Sequence, residues 1–430
     1  MATQNPAPDK LHDPAPPPET VGSLASRAPI PYREFIAICA SLMASTALAI
    51  DIVLPAMLVI GAALGSIDGN SAQWIVTAYV VPYACGQLLF GPLSDRYGRR
   101  NILMLGMTIY ALGALASVFA TSFTALLIGR AIAGFGAASG RVASVALVRD
   151  CFAGRDMASI MSIIMMVFMV IPILAPALGQ VMVDFANWQA IFVFMAVFGF
   201  ALVAWVALRL PETLAPENRN PLTAASITNA FSIVITQRSS IAYALAMATF
   251  FGSLFGFINS APQIFLGIYE LGSWFPVAFS AGAGFIALSS LINSRIVHRI
   301  GMRRLSHTAL TGFIICGLAL TAVATLYDGR PPMLVFTAAT AMMFFFFGFI
   351  GTNFNALAME PLGHHAGMAS AVFGFLQMGV AGVLGALIGQ LFDGTTIPLL
   401  LGFSLCGCIS LGLVFWGERG KLFGIGTDYK

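Results

Sequence analysis

Three charged residues stand where a charge is expensive. Asp51, Arg130 and Arg141 lie deep inside long apolar runs. A charge at mid-bilayer costs roughly 2.5–3.5 kcal/mol on insertion scales, so each needs a partner or a task. A buried acid beside a guanidinium can take a hydrogen ion on one side and release it on the other, because burial and the neighbouring cation pull its charge state in opposite directions. Asp51 lies about 18 residues into its run, and Arg130 about 7 into a run of opposite direction. At about 1.5 Å per residue both fall in the outer half of a bilayer. The expectation is an Asp51–Arg130 pair that couples to protons; the same pair could serve only to orient two helices. Pro55 marks the spot further, since a proline leaves the carbonyl four residues back, that of Asp51, without its helical bond. Arg141 returns to nearly the same helix face as Arg130. It points either to substrate oxygens or to the cytoplasmic interface.

The second half of the chain offers amides rather than charges at membrane depth: Asn259, Gln263, Asn293, Asn353, Asn355, Gln377 and Gln390. Together with Phe255, the residues Arg141, Asn259, Gln263, Asn353 and Asn355 form the expected substrate contacts. Phe251, Phe257 and Trp274 either line an apolar pocket with Phe255 or face lipid and core. The six cysteines have no metal-ligand spacing and read as small apolar fillers. His364-His365 has no further ligand nearby. No metal or cofactor is expected, only protons as the coupling ion. No nucleophile–base set, acid pair or clearly placed histidine lies in an apolar run, which argues against an enzyme.

What positions these residues is a set of membrane helices. Only 9% of the 430 residues are charged, against roughly 25% in a soluble domain. A span needs about 20 mostly apolar residues, and twelve runs qualify, with approximate limits 33–63, 73–94, 101–120, 123–148, 157–183, 189–209, 239–267, 275–297, 304–326, 333–358, 365–391 and 396–417. Lys and Arg sort to one side of them: Arg96, Arg99 and Arg100, then Arg149 and Arg155, Arg209 and Arg219, Arg295, Arg299, Arg303 and Arg304, and Arg419 and Lys421. The opposite loops hold one basic residue, Arg330. That asymmetry predicts both termini in the cytoplasm. The fold class is therefore all-α integral membrane, with twelve transmembrane helices in two six-helix halves. A disordered cytoplasmic tail (1–32) precedes an N-terminal half (33–209). A cytoplasmic linker (210–238) with Pro211, Pro216 and Pro221 leads to a C-terminal half (239–417) and a second tail (418–430). The net charge of +3 is dispersed and too small to suggest nucleic acid.

The loop Gly91-Pro92-Leu93-Ser94-Asp95-Arg96-Tyr97-Gly98-Arg99-Arg100 has a worn copy in His298-Arg299-Ile300-Gly301-Met302-Arg303-Arg304, with Gly301 aligned on Gly98. Both copies follow the second helix of their half, as expected of two parallel repeats. This loop resembles the major facilitator superfamily signature G-x-L-x-D-R-x-G-R-R at every position. Arg130 with Gly134 matches a second superfamily motif, R-x-x-x-G. The segment Ala49-Ile50-Asp51-Ile52-Val53-Leu54-Pro55, Arg149-Asp150, Ser260-Ala261-Pro262 and Ala366-Gly367 resemble the drug:proton antiporters of the Bcr/CflA group, which export bicyclomycin, chloramphenicol-type compounds and other lipophilic drugs. The family's fifth-helix antiporter motif is degenerate: Pro176 and Gly179 are kept, while Ile171, Ala175 and Gln180 replace glycines.

The resemblance implies a secondary active transporter that exports small lipophilic drugs or toxic metabolites in exchange for protons by alternating access. It implies a monomer in the bacterial inner membrane, with lipids and a small lipophilic substrate as partners. A proton-coupled exporter or symporter of one metabolite is the alternative, and a receptor on a transporter fold is the alternative of another class. It also implies a cytoplasmic gate of Gly91, Asp95, Arg96, Gly98, Arg99, Arg100 and Asp150. In that gate Gly91 lets the second helix approach the eleventh, Asp95 faces the eleventh helix's N-terminal end, and Asp150 holds Arg99 or Arg96. Pro55, Pro172, Pro176 and Gly179 are the expected hinge points.

Overall fold

The computed structural model describes residues 28, 30–66, 69–219, 232 and 234–424, with the side chains of 155, 158, 218 and 363–368 outside that description. Most of the expected N-terminal tail and the middle of the expected linker also lie outside the described residues. Twelve helices are long and apolar enough to cross a membrane. They are Tyr32–Ala63, Ser71–Tyr97, Arg99–Val118, Phe123–Cys151, Ser159–Phe185, Gln189–Arg209, Arg238–Ile268, Gly272–Ile300, Met302–Leu326, Met333–Leu362, Ala369–Gln390 and Ile397–Gly417, called spans one to twelve below. The expected limits fall within a few residues of these. Among the described residues there is no strand. Spanning helices satisfy their own backbone groups, so apolar run length alone goes far toward fixing such elements.

Packing repeats every six spans. Spans one and five, two and four, three and four, and three and six touch in the first half. Their counterparts seven and eleven, eight and ten, nine and ten, and nine and twelve touch in the second. Between the halves, span two packs on eleven and span eight on five, again a matched pair. The backbone repeats as well. Gly98 (φ 97°, ψ 149°) and Gly301 (φ 88°, ψ 146°) share one left-handed geometry that few other residues adopt. Spans one and seven are the most enclosed, 78% of each apolar window being buried, against 22% in span five and 28% in span eight. The inner pair therefore carries the residues that both halves can reach.

Two irregularities place the site. Span one is not a single helix: it runs as α-helix to Asp51, turns, passes through a 3-10 turn at Leu54–Ala56 and resumes at Met57–Ala63. Pro55 causes the break, as its position relative to Asp51 predicts. Span seven ends, after Pro262, in a π-helical turn at Gln263–Ile268. Span five belongs to an unbroken helix, Gly154–Phe185, that runs through Pro172 and Pro176. Those two prolines do not make a break of the kind seen at Pro55.

Candidate functional site

Asp51 is the last residue of the first helical segment and is 4% exposed. The turn beside it, Leu54–Ala56, packs on span five and on span seven, so this one break touches both halves. Gly179, the glycine kept from the fifth-helix motif, lies directly against the Ile52 carbonyl. A methyl group there would overlap that oxygen and crowd Pro55. The acid, the broken helix and the motif glycine thus form one cluster.

Arg130 is fully buried but makes no ion pair with Asp51, contrary to the sequence expectation. Its Nε donates to the Ile75 carbonyl at 3.0 Å, and its guanidinium carbon lies 4.5 Å from the Tyr79 ring centroid. The cause is Gly134, one turn further on. Its bare Cα sits on the Tyr79 carbonyl, so span four lies flush against span two and Arg130 is committed to that helix. The R-x-x-x-G spacing is thereby explained: glycine brings the helices together, and arginine binds the carbonyl one turn away. Among the described residues both terminal guanidinium nitrogens of Arg130 lack a hydrogen-bond partner. So do the buried hydroxyls of Thr46, Thr77, Tyr79 and Tyr110. The arginine still has a cation–π contact and two donors to offer.

The end of the bundle opposite the termini is closed by amides. Asn70 donates through Nδ2 to the Phe392 carbonyl (2.9 Å) and to that of Gln390 (3.2 Å), and Gln390 Nε2 returns a bond to the Asn70 carbonyl (2.8 Å). Gln263 Nε2 donates to Asn70 Oδ1 at 2.7 Å. Gln73 Nε2 donates to Gln263 Oε1 and, at 3.0 Å, to the Gly389 carbonyl. All of these bonds join one half to the other. Gln263, expected among the substrate contacts, belongs to this lock. Asn70 and Gln73, which the sequence did not single out, supply its other side. Two further inter-half bonds lie deeper: Gln87 to the Gly374 carbonyl at 3.3 Å, and Ser280 to the Ile173 carbonyl at 2.8 Å.

The other expected contacts are dispersed. Asn259 is buried on span seven, with Oδ1 unpaired. Phe255 packs its backbone and Cβ against Gly385 on span eleven and is core. Asn353 donates to Asn293 Oδ1 at 2.7 Å and to the Phe349 carbonyl, which ties span ten to span eight. Asn355 is exposed. Arg141 is half-buried, with no hydrogen bond or ion pair among the described residues.

At the terminus end Arg99 is the hub. It is 4% exposed, pairs with Asp95 one turn back, reaches Asp150 at 3.0 Å, and bonds Ser94 at 2.9 Å. Arg96 instead stacks on Tyr97. Glu212, which the sequence did not single out, accepts the Arg99 backbone N–H at 2.8 Å and that of Arg100 at 3.3 Å. Gly98 leaves it room: a methyl group there would overlap the carboxylate. Arg100 donates to the Ala207 carbonyl. Among the described residues a methyl group at Gly91 would meet Val142 of span four, and the expected approach of Gly91 to the start of span eleven lies outside the described side chains. Further along, spans two and eleven come close where Gly374 seats Gln87 and Gly389 seats Gln73. The expected meeting of Asp95 with 363–367 lies outside the described side chains.

The second half has an equivalent hub. Arg303 bonds Glu418 at 2.8 Å and Glu360 at 3.1 Å, and the Tyr243 hydroxyl donates to Glu418 at 2.6 Å. His307 is buried within span nine, contrary to the expectation that no histidine lies there. Its Nδ1 accepts the Phe423 N–H at 3.1 Å, which fixes the proton of the neutral ring on Nε2, 3.0 Å from the Tyr243 oxygen. In each half, then, an acid just beyond the sixth span reaches back to the start of the third.

The chain is 32% identical to a bicyclomycin resistance protein homolog of Haemophilus influenzae, over 84% of this chain and 90% of that protein. It is 28% identical to a chloramphenicol resistance protein of Pseudomonas aeruginosa, over 85% and 86% of the two chains. The crystal structure of the human organic anion transporter MFSD10 (TETRAN) superposes with a TM-score of 0.64 at 17% identity, covering 90% of this chain and 98% of that one, a likeness of fold. Residues 36–386 match the Major Facilitator Superfamily. With twelve spans in two matched halves, its signature loop built around Arg99, and this match over most of its length, the chain belongs to the Major Facilitator Superfamily of membrane transporters.

Proposed function

We propose that this transporter exports small lipophilic compounds in exchange for protons, acting as a monomer in the bacterial inner membrane with both termini in the cytoplasm. Asp51 carries the proton. The observation that carries this reading is the place of that acid: buried within the spans, with no ion pair among the described residues, at a break in span one that touches helices of both halves. A carboxyl group there can exchange its hydrogen ion only when movement of the halves admits water or a cation. Arg130, held on span two, keeps a positive charge in the same half without a direct pair to Asp51. The amide lock describes a state closed at the end opposite the termini, and opening that end is the step that would let Asp51 load. Similarity to resistance proteins for bicyclomycin and chloramphenicol supports lipophilic drugs as the substrate class.

The test has two stages. Expression in an efflux-deficient host, with growth scored against a drug panel, identifies a substrate. Inside-out vesicles then report substrate-induced proton release. Asp51→Asn should abolish the proton signal, and Asp51→Glu should keep part of it. Proton release of wild-type size in Asp51→Asn overturns the assignment.

A further inference from the structure

At the terminus end of spans seven and twelve an open groove of about 670 Å³ is lined by Arg238, Phe415, Trp416, Arg419 and Gly420. Among the described residues no acid lines it: the nearest in sequence, Glu418, is turned inward onto Tyr243 and Arg303. Arg238 opens span seven and donates through Nε (3.0 Å) and one terminal nitrogen (2.5 Å) to the Trp416 carbonyl, with its guanidinium carbon 5.0 Å from the Trp416 ring centroid. The same carbonyl accepts the Arg419 N–H at 3.3 Å, so Arg238 reinforces the end of span twelve, and its other terminal nitrogen has no hydrogen bond among the described residues. Arg419 follows in a left-handed turn (φ 53°), its side chain exposed and with no hydrogen bond or ion pair among the described residues.

What leads into the groove identifies its occupant. Leu401, Leu405, Cys408, Ile409 and Gly412 are exposed at helical spacing along span twelve, and the stripe ends at Phe415 and Trp416, 52% and 47% exposed. An apolar face that runs the length of a span is a lipid face, and aromatic residues at its end mark the headgroup level. Two guanidinium groups beyond that level meet whatever lies at the head of an acyl chain resting on the stripe. We propose that this groove is a binding site for an anionic phospholipid, its phosphate held between Arg238 and Arg419 and its chain laid along span twelve. Each arginine near the surface strengthens the attraction to an anionic lipid. Because Arg238 also ties span seven to span twelve, the bound headgroup stiffens the start of one of the two central helices.

The experiment titrates the full chain in neutral detergent with phosphatidylglycerol or phosphatidylcholine carrying brominated acyl chains. The quenching lost in Trp416→Phe reports contact at Trp416. Phosphatidylglycerol should quench Trp416 at clearly lower concentration than phosphatidylcholine. Arg419→Gln should raise the half-quenching concentration of phosphatidylglycerol about fivefold and leave phosphatidylcholine unchanged. Arg238→Gln with Arg419→Gln should remove the preference altogether. The Arg419 side chain makes no hydrogen bond or ion pair among the described residues, so its variant should melt as wild type does, and it carries the test if the double variant fails to fold. Equal quenching by the two lipids, or an unchanged titration in Arg419→Gln, overturns the proposal. So does inorganic phosphate displacing the lipid and raising the melting temperature as far as phosphatidylglycerol does, which would make the groove a free-anion site.

Discussion

Gly179 and Gly134 show how much can rest on a missing methyl group. Each faces a backbone carbonyl of another helix, of Ile52 and Tyr79 respectively. A carbonyl cannot rotate aside as a side chain can, so an added Cβ must push the helices apart. Gly179→Ala should destabilise the protein by about 1–3 kcal/mol, the range for overpacking a close-packed contact, and should cut transport by displacing the break beside Asp51. Gly412→Ala is the control, because nothing lies within 4 Å of a methyl group there. It should hold or slightly raise stability, since alanine is the better helix residue by about 0.5–1 kcal/mol. Melting curves with transport assays on both variants check this; equal behaviour of the two would show that the contact at Ile52 does not matter. Asp51, Pro55 and Gly179 were each legible in the sequence, as an expensive charge, a helix breaker and a motif remnant. Their convergence was not, because it depends on how span five seats on span one. The Asp51–Arg130 expectation failed for a related reason. Depth along a helix can be counted from sequence, but which neighbour a side chain turns to is set by the glycine that lets one helix touch another.

At the scale of elements, the spans and the repeat were readable because each follows from a local property, apolar run length or a loop motif. The ties at helix ends were not, because their acids lie outside the motifs. Glu212 sits three residues beyond span six and accepts the first backbone N–H groups of span three, where helix donors are otherwise unpaired and a negative charge is favoured. Glu212→Ala should therefore cost about 0.5–2 kcal/mol, as loss of a helix N-cap does. Faster hydrogen exchange at the start of span three should accompany it, while the second half keeps its protection. Glu418 is the heavier case. It is 4% exposed and accepts from both Arg303 and Tyr243, so Glu418→Ala removes the buried acceptor of both at once and leaves Arg303 with the exposed Glu360 as its acid. Removing one member of a buried pair costs about 3–5 kcal/mol. The variant should melt well below Glu212→Ala, and a drop no larger than that of Glu212→Ala would refute the ranking.

For the whole molecule, the question is what holds one end shut. The lock opposite the termini is made of Asn70, Gln73, Gln263 and Gln390 with backbone carbonyls. None of these groups titrates near neutral pH, so the lock itself gives closure no pH dependence. Any dependence on pH has to enter elsewhere, and Asp51, the proposed proton carrier, is the group to test for it. Net hydrogen bonds contribute only about 0.5–1.5 kcal/mol each, a scale on which two states of a carrier can exchange. Two carboxylates facing each other across the same contact would reverse the balance. Gln73→Glu with Gln263→Glu should open this end, and Gln73→Glu with Gln263→Lys should keep it closed. Spin labels on Thr121→Cys and Tyr327→Cys, in loops of the two halves at this end, read the separation directly. The Glu/Glu protein should shift the distance distribution to longer values at pH 8 and return toward wild type as the new acids are protonated on acidification. The Glu/Lys protein should match wild type at neutral pH. If the Glu/Glu distances stay at wild-type values throughout, the amides are not what joins the halves, and the weight of closure falls on the packing of span two against span eleven and of span eight against span five.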